Sequence, residues 1–236
     1  MGACCTKHPN DGKGDMEIIQ ENNLNNKMDT EHVKAAAVSS SEGMGIAPPL
    51  MHPVSELPPI TDEVVRSACK RIGEFKWEKV PKYADADIEQ VGPMEYVSNG
   101  AVYKGQMKHG LRHGAGIQVW RDGSRYEGEW QNDKANGYGR LVHNDGDIYE
   151  GQWKNDTACG RGKYYHVQGA IYEGEWVDDA QHGQGREEWP DGTYYEGSYV
   201  NGKKEGRGKF NWVDNSFYYG EFRDNNINGK GNLESY

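Results

Sequence analysis

Cysteine is scarce, with four residues in 236, at Cys4, Cys5, Cys69 and Cys159, and no CxxC spacing among them. That spacing suits neither a disulfide framework nor a metal centre, and with no cleavable signal peptide the chain reads as cytosolic and reduced. Long apolar runs are missing too. No stretch approaches the roughly 18–20 residues that a membrane-spanning helix requires. Apolar residues make up only 35% of the chain and mean hydropathy is -0.98, which argues against a thick two-layer core. Cations are also in short supply, with 27 Lys and Arg against 37 Asp and Glu and a net charge of -10. Such a balance excludes sequence-independent nucleic-acid binding, which works by neutralising phosphates with basic side chains.

Glycine is what the chain has in excess, with 32 residues, 26 of them after position 90. Six of the seven tryptophans also lie there, so a boundary falls near Val91. Residues 7–34 are polar and rich in Asn and Asp, and residues 38–60 are a Ser/Pro/Met stretch with neither helical nor strand period. Neither can bury enough apolar area to offset the entropy of ordering, which predicts a disordered linker over 7–60. Thr61 as cap, Asp62 and Glu63 in the first turn, Lys70 and Arg71 in the last and Gly73 as a stop predict a helix over 61–73. Its apolar stripe is Val64, Val65, Ala68 and Ile72. The segment 61–90 is this helix and a connection.

The region 91–236 is built on one period. Tyr103-Lys-Gly-Gln-Met107 recurs from Tyr126, Tyr149, Tyr172, Tyr195 and Tyr218, each step being 23 residues. Gly-x-Gly follows in every copy, from Gly114 to Gly229, and turn dipeptides such as Asp122-Gly123 and Asp145-Gly146 keep the register. Tyr, Gly and an aromatic at i, i+2 and i+4 make a strand, and Asp-Gly accepts the positive φ of a tight hairpin. Each repeat therefore predicts a strand, a polar loop such as Asn132–Asn136, a second strand opening with Gly-x-Gly, and a tight turn. Y-E-G-E-W, N-x-x-x-G-x-G and D-G together resemble the MORN repeat (membrane occupation and recognition nexus) over about 99–236. The resemblance implies a mainly β fold: an elongated, curved, single-layer antiparallel meander of six 23-residue repeats with one concave aromatic face.

Strand alternation separates the faces. Glycine-phase positions in the second strands include Trp120, Leu141, Tyr164, Trp189, Phe210 and Trp212, alongside the Tyr and Trp of the first strands. The opposite phase carries Arg140, Lys163, Arg186 and Lys209 beside Glu127, Glu150, Glu173 and Glu196. As a functional set, these four cations would meet lipid headgroups; as ordinary cross-strand pairs with glutamates, they would each be worth ~0.2–1 kcal/mol, and the equal acid on that face favours the latter. His143 and His166 lie one repeat apart without the carboxylate and Cys or Ser that would complete a nucleophilic site. Gly-x-Gly lacks the following helix of a phosphate loop. Cys69 and Cys159 carry no mark of reactivity. No catalytic residue, metal or cofactor is expected.

Residues 1–6 read Met-Gly-Ala-Cys-Cys-Thr and fit M-G-x-x-x-[ST], with Gly2 as the myristoylation site and Cys4 and Cys5 as palmitoylation sites. One myristoyl chain binds a bilayer only marginally and only Lys7 and Lys13 lie nearby, so palmitate must supply the second contact. The chain thus reads as a non-enzymatic scaffold anchored at the cytoplasmic face of a membrane, cortical or ciliary by resemblance. Its aromatic face, centred on Trp130, Trp153, Tyr164, Trp176, Trp189, Phe210 and Trp212, would take a partner helix or a second copy of the sheet. The helix at 61–73 would shield the first repeats of that same face. The alternative is a phospholipid-binding module or a subunit acting in trans on a lipid kinase.

Overall fold

The computed structural model describes residues 16–17, 49–83 and 86–234. Gly2, Cys4 and Cys5, and most of the segment read as a linker, lie outside them. Twelve repeat strands, two per repeat, form a meander: β4 (Val102–Lys108), β5 (Leu111–Val119), β6 (Arg125–Gln131), β7 (Lys134–Val142), β8 (Ile148–Lys154), β9 (Thr157–Tyr165), β10 (Ile171–Val177), β11 (Ala180–Glu188), β12 (Tyr194–Val200), β13 (Lys203–Asn211), β14 (Phe217–Arg223) and β15 (Asn226–Glu234). Neighbours in sequence are neighbours in the sheet, and every pair is antiparallel.

The sheet starts before the first repeat. β3 (Ile88–Tyr96) pairs with β4, and β2 (Met51–Pro53) pairs with β3, so a short piece of the Ser/Pro/Met stretch is ordered as an edge strand. An edge tolerates Pro53, whose missing N–H would interrupt an interior ladder. Met51 also packs on the sheet's apolar cluster, the gain that its local composition hides. At the other end, β1 (Met16–Glu17) pairs with β15 at Lys230 and Gly231.

The two connections of each repeat have exchanged the roles that the sequence suggested. The tight turns are the polar pairs: Asn132-Asp133 (φ 49° and 66°), Asn155-Asp156 (52° and 70°) and Asp178-Asp179 (47° and 64°) all sit in the left-handed region. Asn and Asp tolerate that region, so β7 starts at Lys134 rather than at Gly-x-Gly. The Asp-Gly sites are one residue longer. In the first, the Trp120 amide donates to Ser124 O (2.9 Å), the Gly123 amide donates to Trp120 O (3.0 Å), and Asp122 Oδ1 accepts from the Ser124 amide (2.9 Å). The first glycine of Gly-x-Gly has positive φ, 65° at Gly137, where the β6–β7 register slips between Gly128 and Trp130.

The second glycine makes the core possible. Gly128 pairs with Gly139, and a Cβ on Gly139 would stand 2.2 Å from Tyr126 Oη and 2.5 Å from its Cζ. The tyrosine ring therefore lies flat on bare backbone, and its hydroxyl donates to Glu129 O at 3.0 Å. Tyr149, Tyr172, Tyr195 and Tyr218 repeat the bond to the carbonyl three residues on. Trp130, Trp153 and Trp176 close the gap to the preceding repeat: Trp153 Nε1 donates to Gly139 O (3.1 Å), and its ring meets Tyr126 and Tyr149 edge-on at 5.4 and 5.0 Å. One face of a single sheet thus builds its own core out of interleaved rings.

Helix α1 (Glu63–Ile72) starts two residues after and ends one residue before the expected bounds. Its N-cap is Asp62 rather than Thr61, with Asp62 Oδ1 accepting from the Val64 and Val65 amides at 2.8 and 3.1 Å, and Gly73 (φ 86°) ends it. The helix does not shield the aromatic face. Val65 and Ala68 pack on Val142 and Ile148, which point out of the opposite, charged face of repeats 2 and 3. Val64 is 52% exposed, so it leaves the predicted stripe.

Candidate functional site

Two surfaces qualify, and the structure treats them differently. On the aromatic face, Trp130, Trp153, Tyr164, Trp176 and Phe210 are at most 5% exposed, so packing within the chain consumes them. Of the seven rings expected to meet a partner, Trp189 and Trp212 remain partly open, and Trp120 joins them in the same row. The face is aromatic-rich as expected, but its rings are largely core.

Sequence reasoning missed that this core contains ions. Lys204 Nζ lies 2.5 Å from Glu187 Oε2, both nearly fully buried, with Tyr199 Oη donating to the same oxygen at 3.2 Å. Arg112 lies over the Trp130 ring at 4.1 Å and donates to Asp133 Oδ1 (3.1 Å) and to Gln118. The signal was present as polar residues at glycine-phase positions in repeats 1, 4 and 5. His166 likewise stands 3.9 Å from Asp147, a buried carboxylate that accepts from Tyr164 Oη and from the Val167 amide (2.7 Å). Asp147 joins two turns, and no nucleophile stands with it. Among the described residues, no group of three His, Cys, Asp or Glu side chains could hold a metal ion. Burial raises the pKa of both Cys69 and Cys159, which keeps their thiols protonated.

The charged face is a ladder in the register read from the sequence. Arg140 pairs with Glu150 (2.5 Å), Lys163 with Glu173 (2.9 Å) and Arg186 with Glu196 (3.5 Å), each directly across a strand pair. Lys209 lies over the Phe217 ring at 4.1 Å. Burial works to raise the Glu150 pKa, but hydrogen bonds from Tyr138 and Arg140 outweigh it and hold the carboxyl below its usual range. The bond to Glu173 raises the Lys163 pKa. These pairs engage three of the four candidate headgroup cations, Arg140 in a buried pair and Lys163 and Arg186 with an open side.

Residues 73–83 run over this face at repeats 1 to 3. Arg140 Nη1 donates to Gly73 O (2.8 Å) and Nη2 to Glu74 O (3.4 Å). Phe75 stacks on Tyr138 at 5.8 Å with Trp77 edge-on to it at 4.8 Å, and Lys79 Nζ donates to Tyr138 Oη (2.6 Å) and stands 3.8 Å from Glu150. Tyr83 Oη donates to Glu129, and burial together with that bond pushes the phenol up to about 12. Beside this strap lies a cleft of about 560 Å³, walled by Ile72 and Lys79 and extending over Arg161, Lys163, Glu173 and Arg186.

The MORN repeat profile matches six successive segments, residues 103–125, 126–148, 149–171, 172–194, 195–217 and 218–235. No curated protein matches the chain. Among solved structures it is similar to the G-box domain of the microcephaly protein CPAP, at 7% identity over 61% of this chain and 73% of that one, with a TM-score of 0.40. It is also similar to the TCP10 domain of Danio rerio CPAP in complex with a peptide of Danio rerio STIL (13% identity, 61% and 73% coverage, TM-score 0.30) and to that domain alone (11%, 61% and 78%, 0.28). Scores this low have no bearing on function.

Proposed function

Because the chain belongs to the MORN-repeat family, we propose that it is a non-enzymatic scaffold, tethered by N-terminal acyl chains to the cytoplasmic face of a membrane, whose repeat sheet holds a protein partner. The observation that carries this reading is the division of labour in the sheet. One face is spent on an internal core, so the other, covered by α1 and the strap over repeats 1 to 3, remains beyond them as an exposed surface of paired charges, and the partly open Trp189 and Trp212 rim the first. The N-terminal sequence supports the tether, since Gly2 with Cys4 and Cys5 offers the two lipid contacts that stable anchoring takes. No described helix is long and apolar enough to cross a membrane.

Cell fractionation tests the tether. Gly2→Ala should move the full-length protein from membrane to cytosol, and Cys4→Ser with Cys5→Ser should leave weak, reversible attachment. Unchanged membrane association in both variants would overturn it. Proximity labelling of the same proteins separates partners lost with location from partners held by the sheet.

A further inference from the structure

We propose that the cleft beside the Gly73–Lys79 strap is a peptide-binding site that receives an extended acidic segment, with aromatic residues, of the scaffolded partner. This deepens the scaffold reading and rests on it. The chain itself shows how the face is occupied. Over repeats 2 and 3, Arg140 holds the carbonyls of Gly73 and Glu74, Phe75 stacks on Tyr138, and Lys79 reaches Glu150. That occupant is extended polypeptide, gripped through its backbone by a guanidinium and through a ring by a tyrosine.

The repeat carries the same rail onward. Shifting Arg140 and Glu150 by one period gives Lys163 and Glu173, and by two gives Arg186 and Glu196, with the same cross-strand register. What differs is cover. The Arg140 side chain is 5% exposed beneath the strap, whereas Lys163 and Arg186 are 38% and 42% exposed with no described segment over them. Arg186 is already oriented, forked between Glu188 (3.3 Å) and Glu196 and lying 3.7 Å over the Tyr194 ring. Arg161, two residues from Lys163 on β9 and opposite Glu175 across the β9–β10 pair, forms no ion pair among the described residues.

The occupant differs from the strap in charge and from α1 in shape. A helix like α1 seats on Val142 and Ile148, and two repeats on those positions are Glu188 and Tyr194, so a second helix has no apolar seat there. An extended segment needs none. The cleft is lined by six basic and four acidic side chains, a net of +2 in a chain of net charge -10. Carboxylates of the segment would therefore face Arg161 and the open sides of Lys163 and Arg186, while a ring finds Ile72 and Tyr165 in the wall. Such a site adds affinity through charge-assisted hydrogen bonds, which bidentate guanidinium donors favour.

Fluorescence anisotropy of the full-length protein with a labelled peptide, (Glu-Phe-Glu-Gly)₃, tests the site, with (Lys-Phe-Lys-Gly)₃ as its charge-reversed counterpart. The acidic peptide should bind and the basic one should not. Arg161→Glu with Arg186→Glu should weaken binding at least tenfold, while Arg207→Glu, an exposed cation of the same face outside the cleft, should leave it within twofold. Circular dichroism would show that the double variant keeps its fold, since both side chains are exposed. Equal binding of the two peptides, or no loss in the double variant, would overturn the proposal. So would failure of the acidic peptide to bind while vesicles of phosphatidylserine are captured through the same arginines, which would make the cleft a lipid site. Peptide binding by a protein that fractionates to the cytosol would overturn the tether and leave the cleft standing.

Discussion

A glycine under a tyrosine ring is the residue on which the fold turns. A methyl group at Gly139 has no room, because the Tyr126 ring above it is fixed by its bond to Glu129 O and by Trp130 and Trp153 on its flanks. Gly139→Ala should cost about 3 kcal/mol, at the upper end of what overpacking does. Gly92→Ala, in open space with no positive φ, should stay within about 0.5 kcal/mol. Urea midpoints of the two variants check the contrast. Asp179 gives a second test. Its Oδ1 accepts from the Ala158 amide at 2.6 Å, yet burial raises its pKa to about 6. The folded state thus binds the proton more tightly than the unfolded chain, so this group's contribution to stability is largest at low pH and is lost as pH rises through about 6. Two repeats on, Asn225 makes the same bond to the Lys204 amide without a charge. Asp179→Asn should accordingly raise the thermal midpoint at pH 8 and raise it by less at pH 4.5, and a larger gain at the lower pH would refute the assignment. The paired glycines and Tyr positions were legible because strict period 23 displays them. The buried Glu187–Lys204 and Arg112–Asp133 groups were not, because each occurs in single copies and a lone polar residue in a strand carries no sign of its partner.

At the scale of an element, α1 shows what local sequence can and cannot decide. Its existence and ends follow from capping and dipole chemistry confined to residues 61–73, and those signals place Glu63–Ile72 closely. Its docking depends on residues 70–80 positions away. The seat is Val142 beside Ile148, a pair that the register puts on the charged face and that becomes Tyr165 and Ile171 one repeat on and Glu188 and Tyr194 two repeats on. An apolar pair on a charged ladder was the available signal, and only the register makes it a patch. Val65→Ala, at 2% exposure against that seat, should therefore destabilise by about 2 kcal/mol. Asp62→Ala, which removes the cap, should cost about 1 kcal/mol, and the exposed Val64→Ala should stay within about 0.5 kcal/mol. Denaturation midpoints rank the three, and a Val64 effect as large as that of Val65 would contradict the face. The exchanged turns teach the same lesson. Both Asn-Asp and Asp-Gly tolerate positive φ, so composition alone does not tell a two-residue turn from a longer one, whereas the bulge at Gly137 fixes which strand carries the extra residue.

Across the whole molecule the strands follow chain order, so each repeat touches only its neighbours and stability should behave as a sum of local terms. The terms are unequal. Repeats 2 and 3 have rings on one face and α1 with the strap on the other, and Trp153, between Tyr126 and Tyr149, sits at the centre of this doubly covered stretch. Repeat 6 has less. Most of β15 is exposed, and beyond it, among the described residues, only the two-residue β1 adds pairing. Phe222 is as buried as Trp153, resting on Tyr195 and Tyr218 at 4.8 and 5.5 Å, but what it supports is the end of the array. Native-state hydrogen exchange should therefore show protection highest in β6 to β9 and falling toward β15. Trp153→Ala should cost about 3–5 kcal/mol and lower protection on both sides of β8. Phe222→Ala should open β13 to β15 while leaving β6 to β9 at their original protection. A uniform loss across all strands in the second variant would mean that the sheet unfolds as one unit, and the additive account would fail. A graded array also has a use for a scaffold: the rail from Arg140 to Arg186 would start on its firmest part and run toward the softer end, and the last repeat would be free to yield as a partner docks.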